Sequence, residues 1–207
     1  ENYWGTGVFA TEALTREAIK ALDKAKKYNQ PFYLYMSHYA VHTPYDEDKR
    51  FSSNYRDKYD KQLKTILDEK EVKYAALVEG MDKSLGDILD YLNSHPQIAQ
   101  NTIILFMSDN GGLALNHARQ GIENRDANAP ARAGKGSAFM EGVREPMMVY
   151  WPGITKGNSI CHQKVIIEDF FPTILEMAGI KNYTTKQTLD GVSFVDALKN
   201  PDNLKER

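Results

Sequence analysis

The sequence has one cysteine, Cys161, among its 207 residues, so no disulfide can form within the chain. A single cysteine fits either a reducing compartment or a periplasm. No apolar run approaches the roughly 20 residues that a membrane-spanning helix needs. The 26 basic and 28 acidic residues nearly balance, and no basic stripe indicates a nucleic-acid partner. The first residues, ENYWG, do not have the basic and apolar regions of a signal peptide.

The composition and the order of segments predict an α/β fold. Hydrophobic residues make up 42% of the chain and charged residues 26%, which is typical of one globular domain over residues 1–207. A first helix is expected to be capped by Thr15, and helical periodicity recurs over residues 71–93. Runs typical of buried strands occur at residues 32–36, 102–107 and 147–150. This alternation predicts a mostly parallel sheet flanked by helices.

The polar segment SDNGG, residues 108–112, directly follows the strand expected over 102–107. Ligands of open α/β sheets collect at the carboxyl ends of strands. Asp109 offers a carboxylate oxygen and Asn110 a carbonyl oxygen, the hard donors that Ca²⁺ and Mg²⁺ prefer. Asn-Gly and Gly-Gly pairs also mark plain turns, so a metal site and a simple turn both remain open.

His42 follows the strand expected over residues 32–36 by a few residues. An imidazole at this position can donate to an anionic ester or protonate a leaving oxygen. A loop histidine without a chemical task is the alternative. If the strands before His42 and Asp109 are parallel, both side chains lie at the same edge of the sheet.

Residues 115–139 contain almost nothing apolar, which is unusual for a loop of this length in a compact domain. Lys135 lies between two glycines, as an anion site needs, although a solvated lysine is the alternative. A phosphate-binding P-loop is excluded because position 129 is alanine. Arg144 suits either an internal carboxylate or the substrate. The side chains of the loop that suit anion binding are Asn116, His117, Arg119, Arg125, Arg132 and Lys135.

Five motifs in this order resemble the type I sulfatases, the formylglycine-dependent arylsulfatase family of the alkaline-phosphatase-like superfamily. Each motif alone is weak, but the ordered set is specific and runs nearly end to end. The resemblance implies a partial alkaline-phosphatase-like domain. The motifs are YMSHYAVHTP at 35–44, EGMD at 79–82, FMSDNGG at 106–112, NAPARAGKG at 128–136, and GVREP at 142–146 with YWPG at 150–153.

The resemblance also implies roles for individual residues. Asp109 and Asn110 would be two of the Ca²⁺ ligands, and Lys135 and His42 would bind the sulfate and stabilise charge on the leaving oxygen. The substrate would be a sulfated small molecule or glycan. A cation and fixed positive groups would then surround the sulfuryl group during transfer. The residues implied in substrate binding are His117, Arg132 and Arg144.

The sequence departs from the family pattern in two places. The family commonly has Gly-Gly where this chain has Glu141-Gly142. The nucleophile motif, Cys/Ser-x-Pro/Ala-x-Arg, is matched neither by CHQKV at 161–165 nor by SHPQI at 94–98. We therefore expect the C-terminal portion of a catalytic domain, without the upstream nucleophile and without the small C-terminal subdomain. Alone, it is expected to bind Ca²⁺ weakly and to hydrolyse nothing.

Family habit implies a periplasmic or secreted parent protein, and surfaces left uncovered in such a fragment can support a homo-oligomer. Two other functions remain open. One is a phosphoester or phosphonate hydrolase of the same superfamily, which needs further Asp and His ligands for a second metal. The other is a non-catalytic domain that holds a sulfated glycan without cleaving it.

Overall fold

The computed structural model describes residues 2–60, 65–113, 128 and 133–202. It divides into two units, one made of Glu1–Asn101 with Asn110–Arg144 and the other of Thr102–Asp109 with Glu145–Arg207. No helix in the described ranges is both long and apolar enough to cross a membrane. The elements, in chain order, are α1 (Ala10–Lys27), β1 (Tyr59–Asp60), β2 (Thr65–Ile66), α2 (Glu69–Asn93), α3 (Pro96–Ala99), β3 (Ile104–Met107), α4 (Met140–Val143), β4 (Met147–Tyr150), α5 (Phe170–Met177) and α6 (Val195–Lys199).

Helices α1 and α2 pack against each other in the first unit. Ala18 and Leu22 of α1 are buried, as are Val72 and Ala76 of α2. These positions recur at four-residue spacing, so each helix presents an apolar stripe to the core. The long helix expected over residues 71–93 is confirmed, since α2 ends at the predicted residue and begins two residues earlier.

Helix α2 begins where Asp68 forms a capping box. The Asp68 carboxylate accepts hydrogen bonds from the backbone N–H groups of Lys70 and Glu71, both at 2.9 Å. The Glu71 carboxylate in turn accepts one from the Asp68 N–H at 2.7 Å. These reciprocal bonds satisfy donors that the first helical turn would otherwise leave unpaired, so the local sequence fixes this helix start.

The prediction that Thr15 caps the first helix is wrong, because α1 begins at Ala10. Thr15 lies inside the helix and is buried. Its hydroxyl lies 2.7 Å from the Thr11 carbonyl and 2.6 Å from the Ser84 hydroxyl of α2. A buried hydroxyl needs partners, and Ser84 supplies one from the neighbouring helix.

A buried carboxylate joins the segment after His42 to both long helices. Asp48 is only 1% exposed and accepts hydrogen bonds from Arg50 Nε at 2.9 Å and Nη2 at 2.6 Å. Arg50 also lies 3.3 Å from the Glu12 carboxylate of α1. On α2, a Cβ added at Gly80 would lie 2.8 Å from Asp48 Oδ2. Glycine at position 80 therefore makes room for the ion pair.

We expect Gly80→Ala to lower the free energy of unfolding by about 1–3 kcal/mol, because the added methyl group overpacks a buried carboxylate. Gly86→Ala is the matched control, since it lies in the same helix with nothing within 4 Å of its Cβ. That control is expected to stabilise the chain by about 0.5–1 kcal/mol. Urea denaturation followed by circular dichroism measures both variants, and equal effects would contradict the packing argument.

The strands expected near residues 102–107 and at 147–150 are confirmed as β3 and β4. They pair antiparallel, with Ile104 opposite Tyr150 and Met107 opposite Met147. Strands β1 and β2 also pair antiparallel. The prediction of a mostly parallel sheet is therefore not confirmed in the described residues. The chain between β3 and β4 reverses direction, whereas a parallel pair needs a crossover that restores the first direction.

The prediction of a buried strand over residues 32–36 is wrong. These residues have no strand assignment, and Tyr33 and Tyr35 are 71% and 79% exposed. A strand exists only through hydrogen bonds to a neighbouring strand. Neither of the two described sheets includes this segment.

Asp169 organises the end of the second unit. Its carboxylate accepts hydrogen bonds from the backbone N–H groups of Ile166 at 2.9 Å and Val192 at 2.8 Å. The buried Thr173 hydroxyl donates to the Asp169 carbonyl at 2.6 Å and accepts from the Phe194 N–H at 3.1 Å. These bonds tie α5 to the start of α6 and serve the fold.

Candidate active site

Two carboxylates lie near each other in the second unit. Asp109 follows β3 and is exposed, and Glu145 precedes β4. One oxygen of Glu145, Oε1, is buried and has no hydrogen-bond partner among the described residues. Burial raises the pKa of Glu145, and the negative charge of Asp109 raises it further. An uncompensated acidic pair of this kind attracts a cation.

Asn110 presents its amide in a defined orientation. Its Nδ2 donates to the Gly111 carbonyl at 3.0 Å, so Oδ1 is the end of the amide that can act as a ligand oxygen. The amide oxygen of Asn110 and the carboxylate oxygens of Asp109 are each hard donors, the kind that Ca²⁺ or Mg²⁺ prefers and a softer metal does not. Across the part of the chain that the structure describes, no group of three or more His, Cys, Asp or Glu gathers as a metal site.

Asn128 holds the glycine turn after Asn110 against the segment that carries Lys135. The Gly112 carbonyl accepts from Asn128 Nδ2 at 2.8 Å and from the Lys135 N–H at 2.9 Å. Asn128 Nδ2 also lies 3.2 Å from the Ala133 carbonyl. A Cβ on Gly112 would lie 2.7 Å from Asn128 Oδ1, so position 112 needs glycine. We call this arrangement the Asn128 clasp.

Asn128 begins the motif NAPARAGKG, but the sequence alone does not predict a role for it. The one available signal was its place in that motif, because the hydrogen bonds of the clasp join residues 5, 16 and, from Gly112 to Lys135, 135 − 112 = 23 positions apart.

Gly142 packs closely against the backbone of the segment that carries Lys135. A Cβ at Gly142 would lie 2.2 Å from the Ser137 carbonyl and 2.7 Å from that of Gly134. The Gly111 N–H points to the Gly142 carbonyl at 3.4 Å. Of the family's usual Gly-Gly pair, this chain keeps the second glycine, Gly142, and that is the position where a side chain would not fit.

Lys135 is half-buried and its backbone belongs to the Asn128 clasp. The next residue, Gly136, has a φ of +86°, a conformation that disfavours any side chain. The glycine after Lys135 thus serves the backbone. The hydrogen bond of the Lys135 backbone to Gly112 fixes the position of the Lys135 Cα, from which the ammonium side chain extends.

His42 is exposed, and its imidazole is held by its own neighbour. Nδ1 lies 2.7 Å from the Thr43 carbonyl, which can only accept a hydrogen bond, so Nδ1 carries a proton. In the neutral ring Nε2 is then the basic nitrogen that exchanges a proton. The prediction that His42 and Asp109 share a sheet edge loses its premise, because residues 32–36 before His42 belong to neither of the two described sheets.

Arg144 is exposed at the end of α4, where Nη1 lies 3.5 Å from the Met140 sulfur. No carboxylate in the described ranges pairs with it, which leaves its charge available to a substrate. The other two residues implied in substrate binding, His117 and Arg132, lie outside the described residues.

His38 is a half-buried histidine beside α2. Burial lowers its pKa from the ordinary value of 6.5. Nε2 lies 3.5 Å from the Ser84 hydroxyl, and the buried Nδ1 has no partner among the described residues. These contacts give His38 a place in the packing of the first unit.

The chain is expected to lose stability as the pH falls below 6.5, because the unfolded state then takes up a proton that folded His38 resists. The loss continues until the pH reaches the lowered pKa of the folded state. His38→Gln removes this contribution and should flatten the dependence between pH 7.5 and 5.5. Urea denaturation at the two pH values measures it, and an unchanged pH dependence in the variant would refute this role.

The acidic pair of the second unit suits a cation, and the lysine held by the Asn128 clasp of the first unit suits an anion. Both features are of the kind found in hydrolases of anionic esters. The sequence profile of the Sulfatase family matches residues 2–180. The chain belongs to the sulfatase family, whose members hydrolyse sulfuric esters.

Similar proteins agree with this assignment. A protein called "Sulfatase" from Formosa agariphila is 32% identical over 98% of the chain and 36% of its own length. Mouse N-acetylgalactosamine-6-sulfatase is 30% identical over 91% of the chain and 32% of its length. The chain thus spans about a third of the length of these relatives.

Solved structures give the same result. Ps i-CgsB superposes with a TM-score of 0.77 at 31% identity, covering 94% of this chain and 39% of that one. Its complex with k-i-k-neocarrahexaose superposes with a TM-score of 0.78 at 32% identity, with the same coverage. PsFucS1 sulfatase from Pseudoalteromonas sp. has a TM-score of 0.74 at 23% identity over 95% of this chain and 36% of that one, which supports the fold alone.

Proposed function

We propose that this chain is the C-terminal portion of the catalytic domain of a sulfatase that hydrolyses a sulfate ester with the help of Ca²⁺. The observation that carries the proposal is the Asn128 clasp, which fixes Lys135 on the turn that begins with Asp109 and Asn110. Residues of two motifs of the resemblance, FMSDNGG and NAPARAGKG, are joined in this arrangement. Family membership supports the reaction class.

Asp109 and Asn110 are the proposed metal ligands, and the oxygen-only donor set fits a hard divalent cation. When bound, the cation would draw electron density from the sulfate oxygens and so favour attack on sulfur. Burial and Asp109 raise the pKa of Glu145, and a cation bound at Asp109 would favour the ionised form of Glu145 and so gain a second negative charge.

Lys135 would bind a non-bridging sulfate oxygen through its ammonium group. In its imidazolium form, with both ring nitrogens protonated, His42 would donate the Nε2 proton to the oxygen of the departing alcohol, while the Thr43 carbonyl holds the ring through Nδ1. Exposed Arg144 would contact the substrate, as would His117 and Arg132. These fixed positive groups act where charge develops during transfer.

The nucleophile is proposed to lie outside this chain. Cys161 is exposed, but its sequence context does not match the family motif. The relatives are about three times as long as the matched region, so they have room for a nucleophile segment elsewhere. We accordingly propose that the chain alone binds Ca²⁺ weakly and is inactive.

A sulfated glycan is the proposed substrate class. The support is the similar protein Ps i-CgsB, which was solved in complex with k-i-k-neocarrahexaose. A periplasmic or secreted location and a homo-oligomer formed through uncovered surfaces complete the proposal.

Release of the aryl group from a nitrophenyl sulfate and from the matching phosphate tests the proposal, with the full-length protein and the 207-residue chain assayed in parallel. We expect the full-length protein to hydrolyse the sulfate, to lose activity with a chelator and to regain it with Ca²⁺. The chain alone should be inactive. Preference for the phosphate would favour the phosphoester hydrolase. Glycan binding without hydrolysis by the full-length protein would favour the non-catalytic domain.

A further inference from the structure

A shallow groove of about 360 Å³ lies beside the segment that carries His42. Binding pockets for small molecules begin at roughly this volume, about 300 Å³. All of its lining residues belong to the first unit. They are Thr43, Tyr45, Glu69, Lys70 and Lys73.

The groove is positively charged. Its one acidic residue, Glu69, forms an ion pair with Arg56, which also pairs with Glu47, while the lining has two lysines. Within the described part of the chain, no carboxylate pairs with Lys70 or Lys73. The two lysines are three residues apart on the first turns of α2, so their side chains lie on one face. Two ammonium groups therefore line one side of the groove without an internal counter-charge.

Tyr45 gives the groove a rigid wall. Its ring meets Tyr74 edge-on, with centroids 5.6 Å apart, and the Lys70 ammonium lies 5.9 Å above it. Its buried hydroxyl has no hydrogen-bond partner among the described residues. Burial also raises the pKa of Tyr45, so the hydroxyl keeps its proton. Tyr45 therefore adds no charge of its own to the groove.

The groove begins one residue from the proposed general acid. Thr43 lines the groove, and its carbonyl also accepts the hydrogen bond from His42 Nδ1. If His42 protonates the leaving oxygen of a sugar, the rest of the oligosaccharide has to extend from that point. The neighbouring groove offers it positive charge through Lys70 and Lys73.

We propose that this groove binds a second anionic sugar of a multiply sulfated oligosaccharide, next to the sugar whose sulfate is removed. The inference rests on the proposed function, because it assumes that the neighbouring sugar loses its sulfate at the proposed active site. The ligand class follows from the two unpaired lysines, because sulfate groups on a sugar form charge-assisted hydrogen bonds with ammonium groups.

The test compares the full-length protein with its Lys70→Ala/Lys73→Ala variant on a nitrophenyl sulfate and on a hexasaccharide carrying several sulfates. At low salt we expect KM for the hexasaccharide to rise roughly tenfold, because two ammonium–sulfate contacts are lost. The efficiency toward the small aryl sulfate should stay within about twofold, since it does not reach the groove. Lys24→Ala/Lys83→Ala removes two exposed charges elsewhere on α1 and α2 and should change neither.

An equal change for both substrates, or no change for the hexasaccharide, would overturn the subsite. If the wild-type protein hydrolyses neither substrate, the proposed function fails, and calorimetric binding decides the subsite separately. Weaker binding of the hexasaccharide by the variant, with no binding of its desulfated form by either protein, would then still support the groove. Equal binding by both proteins would reject it.

Discussion

Asp109→Ala in the full-length protein is expected to lower kcat/KM for an aryl sulfate by about 10²–10³-fold, because it removes a charged ligand of the cation that stabilises the transferring group. Ca²⁺ affinity should fall in parallel, since Asp109 is the charged one of the two ligands proposed in this chain and Asn110 is neutral. Steady-state kinetics at several Ca²⁺ concentrations, with calorimetric titration of Ca²⁺, measure both effects.

Asp202→Ala is the control for this prediction, because Asp202 is an exposed aspartate of the same unit. It should leave activity and Ca²⁺ affinity unchanged. An Asp109→Ala protein that keeps both wild-type activity and wild-type Ca²⁺ affinity would show that the turn after β3 is only a turn.

The second large effect is expected at the Asn128 clasp. Lys135→Ala should reduce kcat/KM by about 10²–10³-fold, because it removes a fixed positive charge from the sulfate site. Asn128→Ala should reduce it by about 10–100-fold, since Lys135 loses the hydrogen bonds that position its backbone. If Asn128 acts through Lys135, the double variant is no worse than Lys135→Ala. A double-mutant cycle measured on kcat/KM tests this coupling.

Asn54→Ala is the matched control for the clasp. Asn54 lies in the same unit and also uses its side-chain amide as a donor, to Glu79 at 2.9 Å. Its loss should affect stability slightly and leave kcat/KM unchanged in either background. Additive effects of the Asn128 and Lys135 substitutions would mean that Asn128 supports the fold without positioning the lysine.

Local signals in the sequence were sufficient where a structure depends on neighbours along the chain. Helix α2 was predictable because its apolar positions repeat with helical spacing, and its capping box involves residues only three positions apart. The strands β3 and β4 were predictable as apolar runs. Their antiparallel direction was not, because a short apolar run has the same composition in either kind of sheet.

Structures that depend on distant partners were out of reach of the sequence. Residues 32–36 have the composition of a strand, but composition does not supply the neighbouring strand that makes one. The contact between Gly80 and Asp48 joins residues 32 positions apart, and neither position carries a sequence signal for it. The site shows the same division, since Lys135 stood out between its glycines and the role of Asn128 appeared only in the folded chain.

The most direct test of the account is a crystal structure of the full-length protein grown with Ca²⁺ and a sulfate ester analogue. The account predicts Ca²⁺ within about 2.3–2.6 Å of oxygens of Asp109 and Asn110. It also predicts a sulfate oxygen within hydrogen-bond distance of Lys135 Nζ. A cation bound away from Asp109 and Asn110, or a Lys135 ammonium that pairs with a carboxylate of the protein instead of the sulfate, would contradict it.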